Sequence, residues 1–250
     1  MKTGFRVFLG AFIALGLSWC GFVLGPVLQL GTQGQTNVLN SSEIYPNQRP
    51  GNATLGLQVY RAYGCAACHT TQVGQDGVLC DVVLTSAGAN PTAVNNLISS
   101  LKLTGLSKDE ADAVSGRISA AGGKTETHII PVGADISRHW GLRHSVAEDF
   151  LWDNPVQLGT IRVGPDLANE GLRHDESWEL AHLYNPRSNV QNSIMPSYKS
   201  LFITGNTPSE DAKNLVAYLL SLRADVSLHD APFTTAAAPA AAPQNAASQK

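Results

Sequence analysis

The sequence contains few sulfur-containing and few charged residues. Its 250 residues include four cysteines and two methionines, one of them the initiator Met1, and 15% of the residues are charged. Cys20 lies in an apolar run and Cys80 stands alone, so no second cysteine pair could complete a structural zinc site with Cys65 and Cys68. A net charge of −3 with 17 Lys and Arg gives no reason to expect a nucleic-acid partner. No repeat of 20 to 50 residues indicates a solenoid.

The pentapeptide Cys65-Ala-Ala-Cys68-His69 is the most informative motif. C-x-x-C-H is the attachment signature of c-type haem, in which both thiols bond to the haem vinyl groups and the histidine becomes the proximal iron ligand. A thioredoxin-like dithiol would lie between a strand and a helix, whereas this motif follows a short predicted helix at 55–63. One copy of the motif predicts one covalent haem c, with His69 as an axial ligand.

Met195 is the candidate for the second axial ligand, because Met1 is the only other methionine. It lies in Ser193-Ile-Met-Pro-Ser-Tyr198, where proline stiffens the loop. A thioether opposite histidine raises the reduction potential of the iron. The alternatives are a methionine that fills core space and bis-histidine coordination, for which His182 is the first choice among the other histidines.

Between these ligands lies Arg162-Val-Gly-Pro165-Asp-Leu167, which resembles the proximal loop of class I cytochromes c. That resemblance implies that the Pro165 carbonyl accepts the Nδ1 proton of His69, an interaction that would fix the ring and tune the iron. It also implies that Leu167 borders the haem. A simple turn is the alternative for this segment.

Residues 7–30 contain no charged side chain and are long enough to span a bilayer. Lys2 and Arg6 precede them, and no Lys or Arg follows until Arg49. The positive-inside rule then leaves the N-terminus in the cytoplasm. We therefore expect a single-pass anchor at 1–30 in a bacterial inner membrane, with the haem domain in the periplasm. A cleaved signal peptide is the rival interpretation, but the apolar stretch is too long and no A-x-A site follows it.

The rest of the chain divides by composition and by helix signals. We expect a mainly α fold: a single N-terminal transmembrane helix plus a class I cytochrome c-like domain with a helical insertion. The polar stretch at 31–54 indicates a linker, and the Ala/Pro-rich end indicates a disordered tail. The predicted parts are a transmembrane anchor at 1–30, a linker at 31–54, the cytochrome c domain at 55–225 with its insertion at about 75–138, and the tail at 226–250.

Two capping signals define helices inside the domain. Thr207-Pro-Ser-Glu210 predicts the start of a C-terminal helix, which ends near Arg223 and is expected to cross the N-terminal helix at Gly56 and Tyr60. Ser107-Lys-Asp-Glu110 is the second signal.

With an upstream run at 91–101, the second signal predicts a helical hairpin inserted on the surface. Its Cys80 is expected to be free, shielded or paired with another chain. A shorter helix is predicted from Trp178 to Tyr184.

Four blocks together resemble the mono-haem subunit II of cbb3-type cytochrome c oxidases. The resemblance implies an electron-transfer subunit that relays electrons to a catalytic haem-copper subunit, with other cytochrome c subunits and the membrane as further partners. Cys65 and Cys68 would be the haem tethers, and His69 and Met195 the axial ligands. The blocks are Arg143-His-Ser-Val-Ala-Glu-Asp-Phe-Leu-Trp-Asp153-Asn-Pro155, Leu158-Gly-Thr-Ile-Arg-Val-Gly-Pro-Asp-Leu167, His182-Leu-Tyr-Asn-Pro-Arg187 and Ser193-Ile-Met-Pro-Ser-Tyr198.

The chain departs from that family at two positions and leaves two other functions open. Trp178-Glu179 stands where the family usually has Trp-His, and Gln191 stands where it has proline.

The sequence has no histidine constellation for a haem-copper centre, so oxygen chemistry is expected on a partner. The alternatives are the anchored cytochrome subunit of nitric oxide reductase and a free-standing anchored cytochrome c.

Overall fold

The N-terminal segment forms a long apolar helix. The computed structural model describes residues 2–31 and 34–234. The helix consists of α1 (Lys2–Trp19), a π-helical turn (Cys20–Leu24) and α2 (Gly25–Leu30). Among the described residues it is the one helix long and apolar enough to cross a membrane, and no part of its apolar window is buried against the rest of the chain. Exposed apolar side chains along its whole length match a lipid environment better than water.

The segment expected to be a linker packs on the domain. It contains an antiparallel pair of short strands, β1 (Thr36–Asn37) and β2 (Ile44–Tyr45). Tyr45 is buried, and its hydroxyl donates a 2.7 Å hydrogen bond to Asp149. The chain is therefore fixed to the domain well before the first helix of the cytochrome fold.

Two crossing helices form the centre of the domain. They are α3 (Gly51–Ala62) and α10 (Glu210–Ser221). A β-carbon on Gly56 would lie 1.9 Å from the backbone oxygen of Asn214, so the backbones touch where glycine allows close approach. The ring centroids of Tyr60 and Tyr218 lie 5.2 Å apart. The predicted contact at Gly56 and Tyr60 is confirmed, although α3 begins four residues before the predicted start.

The start of α10 differs from the prediction. Ser209 is the N-cap, and its hydroxyl accepts a hydrogen bond from the backbone N–H of Ala212. Thr207 was predicted to hold that position, but the backbone oxygen of Thr207 accepts from Ile203 and Pro208 forms an isolated bridge with Phe202. These contacts hold the two residues extended, so the helix begins two residues later.

Short helices close the domain around this pair. Two of these elements contribute Leu183 and Leu201 to the apolar cluster formed by α3, α10 and the loop at 163–167, which includes Leu57, Leu167, Leu183, Leu201, Leu215 and Leu219. The short elements are α6 (Ala134–Ser137), a 3₁₀ turn at Ala147–Phe150, α7 (Glu170–Arg173), α8 (Glu176–Tyr184), α9 (Pro186–Asn189) and a 3₁₀ turn at Lys199–Leu201. The mainly helical fold with one N-terminal apolar helix is confirmed.

The insertion is a small α/β unit with its own apolar core. The predicted helices are present as α4 (Pro91–Ser99) and α5 (Lys108–Ala120), and the Ser107–Glu110 capping box is formed. Two long antiparallel strands, which the sequence interpretation did not predict, flank them: β3 (Gly77–Ser86) and β4 (Lys124–Val132). Cys80 is a free thiol only 2% exposed in that core, so it is shielded. The core cluster comprises Cys80, Val82, Val94, Leu106, Ala111 and Ile118.

The beginning of the expected tail is packed rather than loose. Leu228 and Phe233 are buried. The backbone N–H of Thr234 donates to the Ile129 oxygen, and the Ile129 N–H donates to Thr234 Oγ1, both at 2.9 Å. Residues 226–234 therefore belong to the domain surface, whereas the rest of the predicted tail, 235–250, lies outside the described residues.

Candidate functional site

A cavity of about 450 Å³ opens between the end of α3, the loop at 163–167, α8 and the loop at 190–196. This volume is in the usual range for small-molecule and cofactor pockets. The structure brings all six residues predicted from the sequence to its walls: Cys65, Cys68, His69, Pro165, Leu167 and Met195.

The C-x-x-C-H segment is presented by a sharp turn at the end of α3. Gly64 has a left-handed backbone with φ +67°, which ends the helix in the way that glycine commonly does. The following 3₁₀ turn, Cys65–Ala67, is closed by hydrogen bonds from the backbone N–H groups of Cys68 and His69 to the Cys65 oxygen. Both thiols and the imidazole thereby reach the same cavity.

The imidazole of His69 is fixed through one of its two ring nitrogens. Its Nδ1 lies 2.8 Å from the Pro165 oxygen, and because a carbonyl can only accept, Nδ1 carries the proton. Nε2 is then the unprotonated nitrogen available to a metal. Gly164 packs directly on the ring: a β-carbon there would lie 2.3 Å from Cε1 of His69.

Asp166 anchors the loop that carries Pro165. It is fully buried, and its Oδ2 accepts hydrogen bonds from Thr70 Oγ1 at 2.5 Å and from the Gln72 N–H at 2.8 Å. Backbone hydrogen bonds from Gly164 to Cys68 and from Leu167 to Thr70 flank it. Sequence reasoning assigned no role to Asp166, although a carboxylate directly after the Gly-Pro of the loop was the available signal.

Both candidates for the second axial ligand lie on the cavity. Met195 is half-buried and packs against the central apolar cluster. His182, on α8, has a buried Nδ1 with no hydrogen-bond partner among the described residues. Burial lowers the pKa of His182 to about 4, so the ring is neutral at neutral pH. A group bound in this cavity would therefore be accessible to both Met195 and His182.

A ring stack and two carboxyl groups form another wall of the cavity. The rings of His174, Trp178 and His182 stack with centroid distances of 3.4 and 4.6 Å. Glu170 and Glu179 also line the cavity and are almost completely buried. Sequence reasoning missed this wall. Its signal was the spacing of four residues between the three rings, which aligns Trp178 and His182 on one side of α8, with His174 just before that helix.

The walls fit a covalently attached haem. Two thiols, an imidazole with a free Nε2 and a thioether converge on one space, which is the donor set of a c-type cytochrome. The remaining surface is largely apolar and includes Tyr60, Leu183, Leu215 and Leu219. Such walls exclude water and suit a large aromatic macrocycle.

The comparison with protein families agrees with this geometry. Residues 126–249 match the family model described as "Cytochrome C oxidase, mono-heme subunit/FixO". The matched range begins after the C-x-x-C-H motif, so the match and the haem-attachment signature come from separate parts of the chain. No curated protein matches the chain.

Proposed function

Because the chain belongs, through residues 126–249, to the mono-haem subunit family of cytochrome c oxidase, we propose that it relays electrons to the catalytic subunit of a cbb3-type, oxygen-reducing oxidase. The family supports a haem subunit with a role in electron transfer. The identity of the acceptor, the covalent haem and its ligands, and the membrane orientation belong to this proposal.

One observation carries the proposal: Cys65, Cys68, His69 and Met195 line a single cavity. The two thiols would hold haem c covalently, and His69 and Met195 would be its axial ligands. A haem bound in this way supplies a one-electron carrier that accepts and donates electrons without a chemical change in the protein. Leu167 and the other apolar walls would exclude water from it.

The surrounding residues would fix position and potential. The Pro165 oxygen holds the Nδ1 proton of His69, and Asp166 ties the Pro165 loop to the segment that follows the histidine. A methionine opposite histidine raises the potential. Because His69 and Met195 would both hold the iron, oxygen would find no open site, and its reduction would belong to the partner subunit.

The cavity mouth supports contact with a redox partner. Three apolar side chains that line the cavity are also exposed, Val163, Val190 and Ile194, the last 73% exposed and adjacent to Met195. Exposed apolar side chains grouped at one site are typical of a protein contact. The α1–α2 helix would anchor the chain in a bacterial inner membrane, with the haem domain in the periplasm.

Replacement of both haem tethers tests the relay. We expect Cys65→Ala with Cys68→Ala to abolish covalent haem c and to stop oxygen consumption from a cytochrome c donor. The catalytic haems should remain visible in the assembled complex. Cys20→Ala is the matched control, since Cys20 lies in the N-terminal helix, away from the cavity. Full donor-driven turnover in an assembled complex without haem c would remove this subunit from the electron path.

The axial ligand has its own test. Ferric wild-type protein should show the weak near-infrared band of sulfur-to-iron coordination, and Met195→His should lower the midpoint potential. His182→Phe should keep the band. A bis-histidine spectrum in the wild type would show that a histidine, not Met195, is the second axial ligand. The proposed electron relay would be unaffected by that result.

A further inference from the structure

Two buried carboxyl groups beside the haem cavity are not used by the proposed relay. Glu170 of α7 is 3% exposed and Glu179 of α8 is 4% exposed, and both line the cavity. Donor atoms of Glu170, Glu179 and His174 lie within 4.8 Å of one another. Two ionised carboxylates at such a distance from one another, away from water, would repel strongly.

Glu170 has partners outside the pair, whereas the polar partner of Glu179 is Glu170 itself. Glu170 Oε2 forms an ion pair with Arg173, and Glu170 Oε1 accepts a 2.5 Å hydrogen bond from His174 Nδ1. Among the described residues Glu179 forms no ion pair, and its buried Oε1 has no hydrogen-bond partner. One guanidinium balances one carboxylate, and a second ionised carboxyl at this burial would be costly without a cation of its own, so a proton on Glu179 is favoured.

The groups around the pair reinforce this assignment. The pair has three charged neighbours on α7, on α8 and in the connection between these helices: Arg173, Asp175 and the exposed Glu176. α10 presents Leu215 and Leu219 to the cavity. Arg223, just after that helix, lies against Gly171 and is paired with Asp225. The other titratable groups on the cavity walls are Tyr60, Cys65, Cys68, His69, His174, His182 and Tyr198.

The pKa directions agree with a single proton on Glu179. Burial, and then the negative charge of Glu170, raise the pKa of Glu179 far above its ordinary value. Burial alone would raise the pKa of Glu170 too, but the hydrogen bond with His174 and the charge of Arg173 outweigh burial and hold it low. At neutral pH Glu170 is ionised and Glu179 is protonated.

We propose that Glu170 and Glu179 form a redox-linked proton-binding site, which releases one proton when the haem of this subunit is oxidised and takes it up on reduction. This inference rests on the haem of the proposed function. On oxidation one electron leaves for the acceptor, the Glu179 O–H bond breaks, and the proton passes to water. The added positive charge in the cavity favours the ionised carboxylate. His174, hydrogen-bonded to Glu170 with a side chain 28% exposed, connects the pair to solvent.

A proton fits this cluster better than a divalent cation does. Both oxygens of Glu170 are already occupied, one by Arg173 and the other by His174. A dication among these atoms would lie next to the guanidinium of Arg173 and would be repelled by it. A proton on Glu179 leaves every one of these contacts in place.

The test is the pH dependence of the haem midpoint potential, measured by spectroelectrochemistry on the full-length holoprotein. In the wild type we expect the potential to fall as pH rises above neutrality, toward the limit of 59 mV per pH unit for one proton per electron. Glu179→Gln should remove most of this slope, because an amide cannot release the proton. Glu176→Gln is the matched control, since Glu176 is exposed on the same helix, and it should keep the wild-type slope.

Redox-difference infrared spectra give a second, independent readout. The wild type should lose the carbonyl band of a protonated carboxylic acid on oxidation, and Glu179→Gln should lack this change. A wild-type potential that does not vary above neutral pH overturns the proposal without any variant, and so does an unchanged slope in Glu179→Gln. A slope that disappears after chelation would assign the cluster to a metal instead. None of these measurements uses oxidase turnover, so failure here is distinct from failure of the relay.

Discussion

Gly164 is the residue on which the position of the His69 ring depends most directly. A β-carbon there would lie 2.3 Å from Cε1 and 2.7 Å from Nδ1 of His69. We expect Gly164→Ala to push the imidazole away from the Pro165 oxygen and to destabilise the protein by about 1–3 kcal/mol, the usual effect of overpacking. The thermal unfolding midpoint should fall, and the axial-ligand bands of the haem should shift.

Gly77→Ala is the control for this substitution, since a β-carbon on Gly77 meets nothing within 4 Å. It should leave the unfolding midpoint and the spectrum almost unchanged. Wild-type ligand bands and stability in Gly164→Ala would show that the ring tolerates the methyl group and that the close packing has no role in holding His69.

Single residues differ in how far the sequence predicts them. Cys65 and Met195 could be found because cysteine and methionine are rare here and chemically specific, and His69 because it completes the C-x-x-C-H motif. Asp166 was harder to find: its position after Gly-Pro was the local signal, but its role depends on hydrogen bonds to Thr70 and to the Gln72 N–H, more than 90 positions away in the sequence. The protonation of Glu179 was equally hidden, because it follows from burial beside Glu170 rather than from residue type.

At the scale of elements, the crossing of α3 and α10 requires glycine at position 56. A β-carbon on Gly56 would lie 1.9 Å from the Asn214 oxygen and 2.7 Å from Cβ of Tyr218. Since the first of these atoms is backbone, the helices must separate to admit a methyl group. We expect Gly56→Ala to lower the free energy of unfolding by about 1–3 kcal/mol or more. Denaturant titration of the holoprotein measures this change.

Gly116→Ala makes the same glycine-to-alanine change but is expected to raise the free energy of unfolding. Gly116 lies inside α5, and a β-carbon there meets nothing within 4 Å. Alanine should therefore stabilise the helix by about 0.5–1 kcal/mol through its better propensity. A Gly56→Ala variant as stable as Gly116→Ala would mean that the helices do not touch at this point.

Helices and strands were not equally predictable. The Ser107–Glu110 box identified the start of α5, because capping is a local interaction over four residues. The pairing of β3 with β4 joins residues about 40 to 55 positions apart, such as Ser86 with Lys124 and Gly77 with Val132. Two helices intervene, so neither a short turn nor a shared local pattern marks the pair.

At the scale of the whole molecule, one buried charge network joins segments that composition had separated. Arg143 is almost fully buried and forms a bidentate pair with Asp149 at 3.0 and 2.8 Å. The Asp149 carboxylate also accepts from the Tyr45 hydroxyl, and Arg143 Nε donates to the Val226 oxygen at 2.7 Å. The predicted linker is polar and the predicted tail is rich in Ala and Pro, yet Tyr45 of the linker and the Val226 oxygen of the tail take part in this network. Composition alone could not reveal that.

This network sharpens the prediction of topology. Lys2 and Arg6 precede the apolar helix and no basic residue follows until Arg49, so the domain is expected outside the cytoplasm. From β1 onward the chain packs on the domain, through Tyr45 and through the ion pair of Arg49 with Asp153. We therefore expect a protease added outside intact spheroplasts to cut between the helix and β1, at about residues 31–35, rather than anywhere in 31–54.

The released fragment should be soluble and carry haem, and mass spectrometry should give its first residue. Arg49→Ala breaks the ion pair and leaves Asp153 buried without its partner, so additional cuts near residues 46–50 are expected in that variant. Lys108→Ala is the matched control, because it breaks an exposed ion pair with Asp112 in the insertion and should not change the cut. Cleavage only in inverted vesicles would reverse the orientation, because the site would then face the cytoplasm. Cleavage only after detergent treatment would instead mean that partner subunits cover the segment, and the domain would still lie outside.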